Sequence, residues 1–164
     1  VTIQPKTVDV RGTVELLEAL ESQTVATIDE TMISEDGVHT YQLKLPEGVE
    51  LAEKDSADTV SINIAFRNTK LNKTRVPLTD AQIINIPEGK TVEILDKSLT
   101  VNVRSLSSMM IAYYNYDIVI DAAAAVTNGE QFVTANVTVR GGNTSDIYTV
   151  GDYSVQIRVS DAEE

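Results

Sequence analysis

Apolar and polar residues alternate with a period of two along much of this chain. The alternation is clearest over residues 60–66 and again over residues 155–159. Because successive side chains of a strand point to opposite faces, this pattern predicts half-buried strands. Val, Ile and Thr carry most of the apolar and strand-forming character. We therefore expect a mainly β fold.

Two short stretches have helical spacing instead. Residues 14–21 place Val14, Leu17 and Leu20 on one face, and Thr13 is a suitable N-cap. Residues 106–113 occupy the corresponding place in the second half of the chain. We predict a short helix at each, with the strand of residues 25–29 following the first.

The chain contains an internal repeat. Residues 28–45 return as residues 120–137, each copy with an Ile-Asp pair and a glycine eight residues after the Asp, at Gly37 and Gly129. VTIQPKTVDV at residues 1–10 aligns with VEILDKSLTV at residues 92–101. A fixed-period repeat indicates one structural unit used twice. We predict two β-rich domains with one short helix each, at residues 1–67 and 68–164.

The second copy opens with a segment that the first copy lacks. If Val1 corresponds to Val92, about twenty residues have no counterpart in the first copy. We predict an incomplete first domain with a sheet edge uncovered or filled by a neighbouring molecule; the alternative is a shorter first repeat. Residues 67–75, with four basic side chains and no acid, are either a linker or the opening of the second unit. They could dock an anionic partner, but we interpret their charges as those of a solvated connector.

Composition excludes several functions. A formal net charge of −12 repels phosphate backbones, so nucleic acid is not an expected partner. The absence of cysteine excludes disulfides, thiolate metal sites and cysteine nucleophiles. No apolar run has the roughly 18–20 residues of a membrane helix. The chain opens at Val1 without a Met, and we expect a longer parent protein whose membrane anchor lies outside it.

These residues resemble the YbbR-like domain family. The resemblance rests on the Pro5–Val10 strand PKTVDV with Gly12 after it, the leucine helix, the Ile28-Asp29 pair, LPEGV at residues 45–49 and the closing alternating strand. The second copy adds VPL at residues 76–78 and IPEG at residues 86–89, but it departs from the pattern at Asp96 and Val103.

The resemblance implies tandem β-rich domains, with a fold similar to the β-domain of L25-type ribosomal proteins. It also implies an extracytoplasmic location, tethered to the cell membrane of a bacterium, and regulation of a membrane diadenylate cyclase that makes cyclic di-AMP. RNA binding is not carried over, because the chain is strongly acidic.

The polar candidates favour structural roles over catalysis. His39 is the only histidine; we interpret it as a surface residue on the polar side of a strand, because no motif supplies it with a nucleophile or an acid. Asp29 and Asp121 are interpreted as turn residues. The acids Glu53, Asp55 and Asp58 lack the spacing of a calcium loop. We expect no enzyme activity, no cofactor and no metal site.

One apolar and aromatic cluster is a candidate for protein interaction. Tyr and Met are enriched where partners dock. The predicted interaction residues are Met109, Met110, Tyr113, Tyr114 and Tyr116. The leading hypothesis is a non-enzymatic, extracytoplasmic interaction module with a protein partner. The alternative is a cell-surface carbohydrate- or wall-binding module, which the absence of Trp makes weaker.

Overall fold

The computed structural model describes residues 1–20, 24, 27–52 and 58–162, apart from the side chain of Tyr113. The fold is mainly β, as the alternation predicts, with half of the chain in strands. The chain divides into two compact units. The first contains Val1–Asp29 and Glu35–Arg67, and the second contains Glu30–Ser34 and Asn68–Glu164.

The first unit is built from short strands and one helix. The helix α1 spans Val14–Glu18, and the Thr13 hydroxyl caps it by accepting from the Leu16 N–H. Three strands form the sheet β1-β5-β3 and two form the sheet β2-β4, all antiparallel. The strands are β1 (Thr2–Gln4), β2 (Val10–Arg11), β3 (Gly37–Gln42), β4 (Glu50–Leu51) and β5 (Thr59–Ile64).

The second unit contains two larger sheets and a 3-10 turn at Ile111–Tyr113. One sheet has the order β7-β10-β11-β13-β8, in which only the β7–β10 pair is parallel, and the other has the order β12-β9-β6. The strands are β6 (Thr69–Pro77), β7 (Gln82–Ile84), β8 (Lys90–Ile94), β9 (Ser98–Leu106), β10 (Tyr116–Asp121), β11 (Gly129–Val139), β12 (Ile147–Val150) and β13 (Tyr153–Asp161).

Strand pairings of the first unit recur in the second with the same registers. The pairing of β1 with β5 corresponds to that of β8 with β13, and the pairing of β3 with β5 corresponds to that of β11 with β13. The matched pairs are Ile3–Ile62 with Ile94–Ile157, and Gly37–Ile64 with Gly129–Val159. These pairs follow the offsets of 91, 92 and 95 residues at which the two halves of the sequence align. The opening strands β6 and β7 have no counterpart among the described residues of the first unit.

The larger core lies in the second unit. Its side chains come from both sheets, and most are Val, Ile or Ala at the inward-facing positions of the strands. Large side chains with almost no exposed surface include Val101, Val103, Ile120, Ile147, Val155 and Ile157. Among the described residues of the first unit, fewer apolar side chains are buried, namely Val49, Val60, Ile62 and Ile64. Within the described part of the chain, most of the buried apolar side chains therefore belong to the second unit.

Several local predictions were wrong, wholly or in part. No helix spans residues 106–113, because β9 continues to Leu106 and only a 3-10 turn follows. Of the two alternatives for residues 67–75, the opening of the second unit is confirmed and the solvated connector is wrong, because Thr69–Pro77 is a strand that pairs with β9 along its whole length. Residues 27–29 are not in a strand, and Val25 and Ala26 lie outside the described residues. The first helix ends at Glu18, and Glu21 also lies outside them.

Gly142 gives a test of how tightly the second unit is packed, with Gly37 of the first unit as the control. A Cβ at Gly142 would lie 2.8 Å from a methyl carbon of Ile147, whereas a Cβ at Gly37 would have no neighbour within 4 Å. Gly142→Ala is expected to lower the free energy of unfolding by about 1–3 kcal/mol through overpacking. Gly37→Ala, the matched control, is expected to leave it unchanged or raise it by up to about 1 kcal/mol. Urea unfolding of both variants measures the difference, and equal midpoints would contradict the close packing at Gly142.

Candidate interaction site

A cleft with a volume of about 260 Å³ opens in the second unit beside the 3-10 turn. One wall is the end of β6, from Thr74 to Pro77, and another is the start of β10. The turn forms because β9 ends at Leu106 and the backbone N–H of Tyr114 donates to the Ile111 carbonyl at 3.1 Å. This bond directs the chain back toward β10 and leaves a concave surface.

Charged side chains surround the cleft. Arg75 comes from β6, Arg140 follows β11, and Asp80 lies just after β6. The Arg140 guanidinium donates from Nε to Asp117 Oδ1 at 2.8 Å. This hydrogen bond, and then the charges of Asp117 and Asp80, raise the pKa of Arg140. Arg75 donates from Nε to the Ser98 hydroxyl. Both cations are therefore held in place at the cleft.

Two tyrosines contribute the aromatic surface. Tyr114 and Tyr116 line the cleft, and both also pack against the core. The Tyr116 hydroxyl is buried and has no hydrogen-bond partner among the described residues, and burial raises the pKa of this side chain. The cleft therefore combines aromatic faces with hydrogen-bonding groups, as binding pockets commonly do.

The structure separates the five predicted interaction residues. Tyr114 and Tyr116 line the cleft, and Met109 packs against the core. Met110 is 61% exposed, so it is open to a partner. The side chain of Tyr113 lies outside the described part of the structure. Their role in binding stays a prediction.

Sequence reasoning missed the polar residues of the cleft. Arg75 was assigned to a connector, and Arg140, Asp80 and Asn115 were not singled out. Arg140 lies beside the cleft because Val139, which precedes it in the chain, pairs with Tyr116 of β10. The basic residue directly after a long alternating strand was the available signal.

His39 is half-buried, not exposed as predicted. It shares the inward phase of β3 with Tyr41, and it pairs with the buried Ile62 of β5. Its Nε2 atom is buried and has no hydrogen-bond partner among the described residues. The prediction failed because His39 and Tyr41 are two residues apart, and alternation therefore places them on the same face.

The turn role of Asp121 is confirmed. Its Oδ1 accepts from the Ala123 N–H at 2.9 Å and from the Asn85 amide at 3.0 Å. These two hydrogen bonds, the Ala123 bond first, lower the pKa of the Asp121 carboxyl. The same role for Asp29 stays a prediction.

The acidic loop is described only in part. Glu53 and Asp55 lie outside the described residues, whereas Asp58 accepts a hydrogen bond from the Gln42 amide at 2.6 Å. Within the described residues, no group of three or more His, Asp or Glu side chains could hold a metal ion.

Helices long and apolar enough to cross a membrane are absent from the described residues. Comparison of the chain with protein-family models, with curated proteins and with solved structures finds no match.

Proposed function

We propose that this chain is a non-enzymatic interaction module made of two YbbR-like repeats. The observation that carries the proposal is an exposed Met110 on the segment that forms the tyrosine-lined cleft. Tyr and Met are enriched at the cores of protein interfaces. A cleft of this size suits a single anchoring side chain of a partner.

The location and the partner follow from the resemblance of the sequence to the YbbR-like family. In this proposal the module lies outside the cytoplasm and belongs to a membrane-anchored bacterial protein. Its partner is a membrane diadenylate cyclase, whose synthesis of cyclic di-AMP it regulates. The net charge of −12 supports a protein partner over nucleic acid.

The absence of enzyme activity is supported by the residues present. The chain has no cysteine, and its only histidine lies on the inward side of β3 with a buried Nε2 atom. A general base must reach the proton that it removes. His39 is therefore poorly placed to act on a substrate.

A second candidate function is binding of a cell-surface carbohydrate or wall polymer. The lining of the cleft favours it, since tyrosine faces lie beside the hydrogen-bonding groups of Asp80, Asn115 and Arg75. Such a set can stack on a sugar ring and bond its hydroxyls. Glycan binding by the purified chain, lost in Tyr114→Ser, would favour this candidate.

A pull-down of the chain from bacterial membrane extract tests the leading proposal. The double variant Met110→Ser with Tyr114→Ser is expected to reduce recovery of a diadenylate cyclase more than fivefold, because truncating an interface anchor costs more than about 1 kcal/mol. Phe132→Ser is the matched control, since Phe132 is 68% exposed on β11 and does not line the cleft.

The outcomes separate the alternatives. If the double variant loses the cyclase and Phe132→Ser retains it, the result would support both the cyclase as partner and the cleft as the binding surface. Equal recovery with every variant would keep the partner and exclude the surface. Recovery of wall polymer without cyclase would exclude the leading proposal in favour of carbohydrate binding.

A further inference from the structure

The first unit presents a sheet edge whose counterpart in the second unit is covered. In the second unit, β9 pairs with β12 on one side and with β6 on the other. In the first unit, β2 pairs with β4. Among the described residues, no strand pairs with the other edge of β2. The two repeats thus differ at the place that β6 occupies.

The residues beside this edge are less buried than their counterparts. At the offset of 91 residues, Val10 of β2 corresponds to Val101 of β9. Val101 is fully buried, whereas Val10 is half-buried. In the helix that follows β2, Val14 is 65% exposed and no residue is buried. An open edge flanked by apolar side chains is suited to accept another strand.

The covering strand of the second unit shows what such an edge takes. β6 pairs with β9 over nine residues, and Val76 at its end is buried in the core. Its Lys70, Lys73 and Arg75 occur in a segment, residues 68–78, without an acidic side chain. Residues 1–67 carry 13 acidic against 5 basic side chains. The segment and the first unit are therefore complementary in charge.

We propose that the open edge of β2 binds an extended, basic peptide segment of the β6 type. The register follows from the repeat. Arg75 and Val76 pair with Thr100 and Leu99 of β9, which at the offset of 91 correspond to Asp9 and Val8. The bound segment would thus place a cation opposite Asp9 and an apolar residue opposite Val8. Main-chain hydrogen bonds supply the affinity, and these two positions supply the selectivity.

Binding of a synthetic peptide with the sequence of residues 68–78 to the full chain tests the proposal. Fluorescence anisotropy measures the binding, at about 0.15 M salt because this ionic strength screens the attraction between distant charges. Asp9→Lys is expected to weaken binding roughly tenfold, because a like charge replaces a favourable cross-strand pair. Glu47→Lys makes the same charge change at an exposed turn of the same unit. It is expected to weaken binding less than about twofold.

Disulfide trapping tests the register, since the chain has no cysteine of its own. Lys73 pairs with Asn102, which corresponds to the exposed Arg11 of β2. The peptide with Lys73→Cys is expected to link to the chain with Arg11→Cys. The peptide with Asn72→Cys is not, because a shift of one residue moves the thiol to the other face.

Several results would overturn the proposal. One is the absence of peptide binding, and another is equal weakening of binding by Asp9→Lys and Glu47→Lys. A third is that the Lys73→Cys peptide links as readily to the chain with Val38→Cys, an exposed position on β3, as to the chain with Arg11→Cys. Linking to Asn102→Cys in place of Arg11→Cys would show exchange with the chain's own β6, and would also exclude binding at the β2 edge. None of these results bears on the proposed function, which rests on the cleft of the second unit.

Discussion

Replacing Arg104 by Met is expected to lower the free energy of unfolding of the second unit by about 3 kcal/mol. Arg104 lies on β9 and is only 4% exposed. Its guanidinium donates to the Ile33 carbonyl at 3.2 Å and to the Ser34 carbonyl at 2.9 Å. Met fills a similar volume but cannot donate, so both carbonyls lose a charged donor. A buried acceptor that has lost its partner destabilises the fold by its full desolvation free energy, since it bonds neither water nor protein.

The segment that Arg104 holds explains why the effect is large. Glu30–Ser34 belongs to the second unit although its sequence lies within the first half of the chain. The Gly151 N–H donates to the Thr31 carbonyl at 2.7 Å, and the apolar side chain of Ile33 is buried. The two Arg104 bonds thus join a short segment, whose only regular element is the 3-10 turn Glu30–Met32, to β9 of the larger core.

Arg158→Met is the matched control for this prediction. Arg158 on β13 makes ion pairs with Glu93 and Glu130, but its side chain is 49% exposed. Exposed pairs contribute less than about 1 kcal/mol each. Urea unfolding followed by tyrosine fluorescence reports chiefly on the second unit, because only Tyr41 of the six tyrosines lies in the first. Equal shifts of the two midpoints would show that the Arg104 contacts add no more than a surface pair.

Strands and their registers were the most predictable part of the fold. The alternation of residues 60–64 and 155–159 corresponds to β5 and β13, because each has one face in a core. The internal repeat carried more information than either strand alone. Residues that the repeat aligns, such as Ile62 and Ile157, occupy equivalent positions in the sheets of the two units.

The predicted helix of residues 106–113 failed for a physical reason. Its apolar residues are close enough together to satisfy helical spacing, but the first of them, Leu106, is already paired in β9 with Thr69 of β6. A strand that is hydrogen-bonded on both sides outweighs a weak helical tendency, because short helices are marginal without packing. The few residues left before β10 have room only for a turn.

Only the aromatic part of the cleft was predictable from the sequence. Tyr114 and Tyr116 are two residues apart and belong to one visible cluster. The charged residues Arg75 and Arg140 belong to distant parts of the sequence, on β6 and just after β11, and only the folded sheets bring them together. The alternation places Arg140 directly after a strand, but it does not tell which residues of other strands will lie beside it. The buried Arg104 was not singled out for the same reason.

Ile157→Ala is expected to cost the second unit about 2–5 kcal/mol, whereas Phe132→Ala is expected to cost less than about 1 kcal/mol. The two residues lie on the paired strands β13 and β11. Ile157 is fully buried in the core, and its truncation leaves a cavity that close packing cannot fill. Phe132 is the larger side chain, but it is 68% exposed and loses only contacts across the sheet surface.

The comparison separates burial from side-chain size, because the smaller residue is expected to have the greater effect. Alternation already assigns the two faces of β11, since Val133 next to Phe132 points into the core. Tyrosine fluorescence in urea gives both midpoints, and a common slope shows that the same surface is exposed on unfolding. If Phe132→Ala destabilised the unit as much as Ile157→Ala, the outer face of the five-stranded sheet would have to be covered in solution. A concentration-dependent midpoint would then identify the cover as a second copy of the chain.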